Sequence, residues 1–245
     1  MRTIRPFNPD ELQPGQASDW LVGPGDDLGV TIRIRRGGGG STSQPASGTE
    51  RYALVLEGKA GLSSNAGLLS AAAGEVIFLP AGETACVVGE ADSVWAEIEA
   101  PVRLDTKPTT VAPRAIPVDP AKFEGTGFAY QALVGRDMGA QTMRMNVLRV
   151  APGAGSPDYH IHAFAQIYII QEGDMTLDVG CKRVKATKNS VVVLPAGLVH
   201  RNFNSSGSDE RHVSLLVPEP EEGEIFDFAV TIHETEARLL EQIPS

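Results

Sequence analysis

The chain has 245 residues, a formal charge of −10, and 26 glycines, 17 prolines and two cysteines. This acidity argues against nucleic acid or an anionic membrane surface as the main partner. No apolar run approaches the ~20 residues of a membrane span, and Cys86 and Cys181 suggest neither a disulfide framework nor a metal cluster. The length suits one large domain or two medium ones. Abundant glycine and proline with few amphipathic helices predict many short strands joined by tight turns.

Along the chain, MRTIRPFNPDELQPG has no apolar stretch of the kind a secretory signal needs, so a cytoplasmic protein is expected. LGVTIRIR (Leu28–Arg35) reads as a strand, and RRGGGGSTSQPASGTE (Arg35–Glu50) as a flexible loop. VIFLPAGETA (Val76–Ala85) then resembles VVVLPAGLVH (Val191–His200), with the shared Leu-Pro-Ala-Gly 115 positions apart. The same shift superposes LEGKA, around Gly58, on QEGDM, around Gly173. A third echo, WLVG (Trp20–Gly23) against ALVG (Ala132–Gly135), falls at a nearby offset. Two copies of one β-rich unit are predicted, each closing its own core. The boundary is expected between residues 115 and 116, giving units 1–115 and 116–245, inside a stretch (Pro101–Gly125) whose five prolines oppose regular sheet pairing. HETEARLLEQIPS, from His233, is the best helix candidate, ended by Pro244.

The stretch YHIHAFAQIYIIQEG (Tyr159–Gly173) carries two of the five histidines. Alternate side chains of a strand face opposite sides. One parity holds His160, His162, Phe164, Gln166, Tyr168 and Ile170; the other is also apolar, so both faces are expected to be covered. After Val191–Leu194 and a Pro-Ala-Gly turn come His200, Asn202 and Asn204, again on one parity. Buried histidines need partners for their ring nitrogens, and three that converge satisfy one another best by sharing a metal. The carbonyl of Gln166 is a candidate fourth ligand; the alternative is an amide bonded to barrel backbone.

The pattern Gly155…His160-x-His162-xxx-Gln166…Gly173, followed by Pro195-x-Gly197-xx-His200-xxx-Asn204, is similar to the two signature motifs of the cupin superfamily. The signature covers about fifty residues of the second unit, and the repeat carries the likeness into the first. The resemblance implies an all-β fold of two tandem antiparallel jelly-roll barrels, a bicupin, with the short C-terminal helix added. It implies His160, His162 and His200 as ligands of a divalent metal, iron(II) first, with manganese, nickel or zinc as the other candidates. Gln166 stands where the family usually has glutamate. The neutral amide leaves the centre at +2 instead of +1, which strengthens a Lewis acid, stabilises higher oxidation states less, and suits an anionic substrate.

Shifted by 115, the ligands fall on Pro45, Ser47, Arg51 and Ala85, so the first barrel is expected to hold no metal there. Arg51 would either neutralise a bound acid or point to solvent. Within Met143–Val150, the apolar parity Met143, Met145 and Val147 is expected to face the barrel interior. Arg149 at its end is then a candidate clamp for a substrate carboxylate, against the blander reading of a solvated side chain. Tyr168 is a candidate proton donor or a packed core residue. His212 aligns with Trp95 and reads as packing. The expected activity is that of a metal-dependent enzyme on a small oxygenated or acidic compound, an iron(II) dioxygenase first. The alternatives are Lewis-acid isomerase, lyase or hydrolase chemistry on a sugar or keto acid, and a non-catalytic binder. A small-molecule substrate and a homodimer are the partners considered.

Overall fold

The computed structural model describes residues 3–38, 48–64, 67–102, 111–156 and 158–231. The strands of the first half are β1 (Ile4–Pro6), β2 (Thr31–Arg36), β3 (Thr49–Glu57), β4 (Lys59–Ser64), β5 (Gly67–Ala72), β6 (Val76–Leu79), β7 (Val88–Gly89), β8 (Val94–Pro101) and β9 (Arg114–Ile116). Those of the second are β10 (Phe128–Val134), β11 (Arg144–Val150), β12 (Tyr159–Ile161), β13 (Ala165–Glu172), β14 (Asp174–Val179), β15 (Lys182–Thr187), β16 (Ser190–Leu194), β17 (His200–Phe203), β18 (Glu210–Val217) and β19 (Phe228–Val230). Among the described residues the helical segments are short 3-10 turns. The expected C-terminal helix, with His233, lies outside the described residues, as do Pro45 and Ser47.

Two antiparallel sheets form each barrel. The first has β2-β8-β3-β6-β9 and β5-β4-β7; the second has β1-β16-β13-β18-β11-β10 and β15-β14-β17-β12-β19. The pairing register repeats as the sequence does. Arg51 lies opposite Leu79 and Glu99; Gln166 lies opposite Leu194 and Leu216. Both copies carry a bulge near the end of the long strand, between Val55 and Glu57 and between Ile170 and Glu172. Both then turn on a glycine of positive φ, 66° at Gly58 and 69° at Gly173. A Cβ on Gly173 would stand 2.6 Å from the Asp209 carbonyl oxygen, so a side chain there meets backbone as well as strain.

The N-terminal strand crosses between halves. β1 pairs with β16 of the second barrel, Ile4 opposite Val192. Within the proline-rich connection, the three residues of β9, between Pro113 and Pro117, pair with β6. Regular pairing was not expected there; the prolines flank the strand and so cost it no ladder donor.

The largest apolar cluster belongs to neither barrel alone. Ile32, Ile34, Tyr52, Leu54, Phe78 and Ile98 of the first sheet pack against Met145, Val147, Ile167, Ile169, Val193, Val213 and Leu215 of the second. Face-to-face packing of sheets about 10 Å apart gives this seam. It corrects the expected facing of Met143, Met145 and Val147, which point into the seam and not into their own barrel. The most apolar parity is buried between the barrels because both sides of that contact exclude water. The barrel interior receives the other parity. Separate clusters fill the interiors, around Trp95 in the first barrel and around Met175 and Leu177 in the second.

A polar clasp closes one end of the seam. The fully buried Glu50 carboxylate accepts hydrogen bonds from Tyr52 Oη (2.7 Å), Thr142 Oγ1 (2.7 Å) and the Gln141 N–H (3.0 Å). Burial, with Glu50 beside it, pushes the Tyr52 phenol well above its ordinary pKa, so it remains a donor. Replacing Glu50 by Ala removes the acceptor shared by three donors contributed by both halves. The expected loss is about 2–3 kcal/mol, read as a lower urea midpoint.

A second tie joins β1 to the first barrel. Both terminal nitrogens of Arg5 contact Asp26, at 2.6 and 2.8 Å. That pairing, opposed by burial and helped by the Gly23 N–H, lowers the Asp26 pKa from 3.8 to about 2. A depressed carboxylate pKa contributes stability that is present above the unfolded value and lost as pH falls through the folded one. Asp26→Asn is therefore expected to lower Tm at neutral pH. Thermal melts should show the gap to wild type closing between pH 3.8 and about pH 2.

Candidate metal centre

The three predicted histidines meet at one point. β12 and β17 bring His160 opposite His200, and His162 follows as the chain bends into β13. Gly155, at the start of the loop into β12, crosses Phe203 so closely that a Cβ would lie 2.4 Å from its Cα. His160, His162 and His200 are 8%, 6% and 1% exposed. One ring nitrogen from each lies within 4.8 Å of the others.

Backbone carbonyls set the tautomers. Nδ1 of His160 donates to Asp158 O (3.0 Å), that of His162 to Phe226 O (2.8 Å), and that of His200 to Leu198 O (2.8 Å). A carbonyl only accepts, so each Nδ1 carries the proton and each Nε2 presents a lone pair inward. Burial, reinforced by the neighbouring histidines, lowers the His200 pKa to about 4 and lowers that of His162 too. The His162 and His200 rings are thus favoured in the neutral form, the one that binds metal.

Gln166 completes the set. Its Oε1 lies 3.0 Å from His162 Nε2 and 3.2 Å from His200 Nε2. The Tyr168 hydroxyl donates to the same oxygen at 2.7 Å, and Gln166 Nε2 donates to Ser214 Oγ at 3.3 Å. The amide is therefore held with its oxygen toward the histidines. Lone pairs of two imidazoles and a carbonyl at hydrogen-bond distance repel unless a cation lies among them. The donor set fits a divalent metal of borderline softness, held by neutral nitrogens and one oxygen.

A cavity of about 530 Å³ opens from these residues. Tyr168 lines it, and burial holds its phenol far above the ordinary tyrosine pKa. Its hydroxyl is committed to Gln166, so the geometry gives it an orienting contact. Arg149 is not brought to the cavity. It is exposed on the seam parity of β11, its guanidinium carbon 5.6 Å from the Phe123 ring centroid. The alternate residues Arg144 and Asn146 line the cavity instead, with Arg144 Nε donating to Asn146 Oδ1 at 3.2 Å. Arg144 and Gln166 share Leu216 as cross-strand partner, so the guanidinium belongs to the same row as the amide.

Sequence reasoning missed other lining residues. Ser214 and His212 come from β18, and Phe226 and Asp227 from the segment that runs into β19 beside β12. Polar residues alternating with apolar ones on β11 and β18 were a usable signal for Arg144, Asn146, His212 and Ser214. The 226–227 segment had none, because its partner strand is some seventy residues away in sequence. The trailing Asn204 is a brace: its Nδ2 donates to Val150 O and Ser208 O at 2.8 and 2.7 Å.

In the first barrel, Arg51 occupies the register position of Gln166. It is buried and directed inward, and its NH2 donates to Glu83 O and Ala85 O, both at 2.7 Å. Ala85 is the counterpart of His200. A fixed guanidinium, bonded to the loop, thus stands where the second barrel gathers its lone pairs.

A cupin domain model matches residues 146–216. Solved structures share the two-barrel fold over nearly the whole chain. Oxalate decarboxylase from Bacillus subtilis, a protein with Mn(II) centres, superposes with a TM-score of 0.67 at 10% identity, covering 99% of this chain and 84% of that one. The protein Ylba from E. coli gives 0.68 at 15% identity, covering 90% and 93%. A cupin 2 conserved barrel domain protein from Leptotrichia buccalis gives 0.62 at 14% identity, covering 89% and 98%. A search of curated protein sequences returns no match. Residues 146–216 thus match a cupin domain, and the chain shares the two-barrel fold of these structures, with its three-histidine cluster in the second barrel.

Residues that orient ligands affect metal affinity by roughly 10–100-fold. Tyr168→Phe removes the donor that turns Gln166 Oε1. It is expected to weaken metal binding about tenfold in a chelator competition while leaving the thermal midpoint of the metal-free protein nearly unchanged.

Proposed function

We propose that the second barrel binds one divalent metal through His160, His162, His200 and Gln166 and uses it to transform a small anionic, oxygenated compound. The observation that carries this reading is the convergence of three histidine ring nitrogens within 4.8 Å of one another, two of them, His162 and His200 Nε2, at 3.0 and 3.2 Å from Gln166 Oε1. In this reading the chain divides its work: unit 1–115 is a structural partner and unit 116–245 carries the chemistry, with β1 as the strand that ties the two together.

The metal, when bound, supplies Lewis acidity and open positions for substrate oxygens. The chain's own residues supply the rest. Arg144 offers a guanidinium to the substrate's acid group in the row of Gln166, in the role first considered for Arg149. Asn146 and Ser214 offer further hydrogen bonds along the wall. Phe164, stacked on His162 at 4.6 Å, and Phe226 exclude water from one side.

The neutral ligand set favours chemistry in which the metal keeps its oxidation state: isomerisation, elimination, decarboxylation or hydrolysis of a keto acid or sugar acid. Mn(II) in the structurally similar oxalate decarboxylase is compatible with this choice, as are zinc and nickel. Iron(II) dioxygenase chemistry is the second reading, supported by the three-histidine set itself.

Metal analysis by ICP mass spectrometry on untagged protein, beside His200→Ala, tests the proposal. About one equivalent of a divalent metal in wild type, absent from the variant, is expected. An oxygen electrode then separates the readings: turnover without oxygen uptake supports the first, and stoichiometric uptake with iron bound supports the second. No metal in wild type after reconstitution would sink both.

A further inference from the structure

The cavity contains a buried acid–imidazole pair that metal binding does not use. Glu210 and His212 are almost completely buried, and His212 Nδ1 lies 2.9 Å from both carboxylate oxygens of Glu210. The carboxylate accepts, so Nδ1 carries a proton and the other ring nitrogen is turned away from Glu210. His212 lines the same cavity as the metal cluster, yet its Nε2 is buried and meets no protein hydrogen-bond partner among the described residues. An orphaned buried nitrogen is costly, and native structures keep few of them.

Its surroundings define what would satisfy it. The cross-strand partners of His212 are Leu148 and Ile170, both apolar and buried, and the Tyr168 ring lies against it with centroids 4.8 Å apart. Nε2 is thus a single polar point in an apolar row. An ammonium group needs several acceptors, which this row does not offer. A carboxylate would face the Glu210 charge. A hydroxyl fits, because it can donate to a neutral imidazole or accept from a protonated one. His212 is four residues along β18 from Leu216, the cross-strand partner of Gln166. That is about 13 Å of strand, and Tyr168, which lies against His212 and donates to Gln166 Oε1, stands between the two polar points.

We infer that Glu210 and His212 form a second recognition point, where His212 Nε2 binds a hydroxyl at the end of the ligand remote from its metal-chelating oxygens. The inference rests on the proposed metal centre and narrows its substrate class to hydroxylated acids of extended shape, such as keto sugar acids, over small diacids. Glu210 acts through His212 as a positioning residue.

The test is calorimetric titration of metal-loaded protein with 2-oxogluconate and its 6-deoxy analogue, on wild type, His212→Phe and Glu210→Gln, with metal content measured in every sample. Wild type is expected to bind the hydroxylated probe about tenfold more tightly, the value of one well-made hydrogen bond. The preference should vanish in His212→Phe and shrink in Glu210→Gln, with metal content unchanged. Should His212→Phe fail to fold, 15N NMR of histidine-labelled wild type decides: the His212 Nε2 resonance should move with 2-oxogluconate and stay fixed with the deoxy probe. Metal-holding wild type that binds both probes equally, or neither, overturns the inference and leaves the centre standing. A preference that persists in folded His212→Phe overturns it as well. Wild type that takes up no metal overturns the centre, and this inference with it.

Discussion

The apolar seam between the two barrels governs the rest of the molecule. Each barrel contributes one face of its larger sheet, and the side chains that meet there are apolar and buried, valine and isoleucine foremost, with leucine, methionine and aromatic residues among them. Each such side chain is worth about 1.5–3 kcal/mol when removed from water. Strand register is fixed by this contact, since a slip of one residue would turn the whole apolar parity out of the seam. Once that parity is spent between the barrels, the opposite one must line the barrel interior. In β11 and β18 the opposite parity is Arg144, Asn146, His212 and Ser214. The seam and the cavity are two faces of the same strands.

This geometry explains how two copies of one unit come to differ. The barrels share pairing register, bulge and glycine turn. They differ in what fills the interior at the Gln166 level. The second barrel presents lone pairs and leaves about 530 Å³ open. The first directs a guanidinium inward from Arg51 and bonds it to the Glu83–Ala85 loop. One interior gathers three imidazoles and an amide oxygen, and the other carries a guanidinium. The seam requires only the outer parity to be preserved, so the inner one was free to diverge.

The site also depends on contacts outside its signature. Each of the three imidazoles is aligned by a backbone carbonyl, and for His162 that carbonyl belongs to Phe226, next to β19. Tyr168 and Ser214 turn the Gln166 amide. Ligand geometry is thus set jointly by both sheets of the second barrel and by the segment that closes over β12.

Much of this was legible in the residues alone. The 115-residue repeat predicted two barrels, and the parity of His160, His162, Gln166 and His200 grouped them, because strand alternation and turn chemistry are local and act over a few residues. Arg149 shows where local reasoning stopped. Its strand carries an apolar and a polar parity, and the rule that apolar residues face inward cannot say whether inward means the barrel or its neighbour. That choice is made by sheet-on-sheet packing between segments more than a hundred residues apart. The same packing turned Arg144 into the cavity, brought the Phe226 carbonyl to His162, and buried His212 with one nitrogen lacking a hydrogen-bond partner among the described residues. Sequence alone determined the repeat, the strands and the grouping of His160, His162, Gln166 and His200. Only the tertiary structure decided which face of each strand meets water, protein or cavity, since burial belongs to the assembled sheets and not to any one of them.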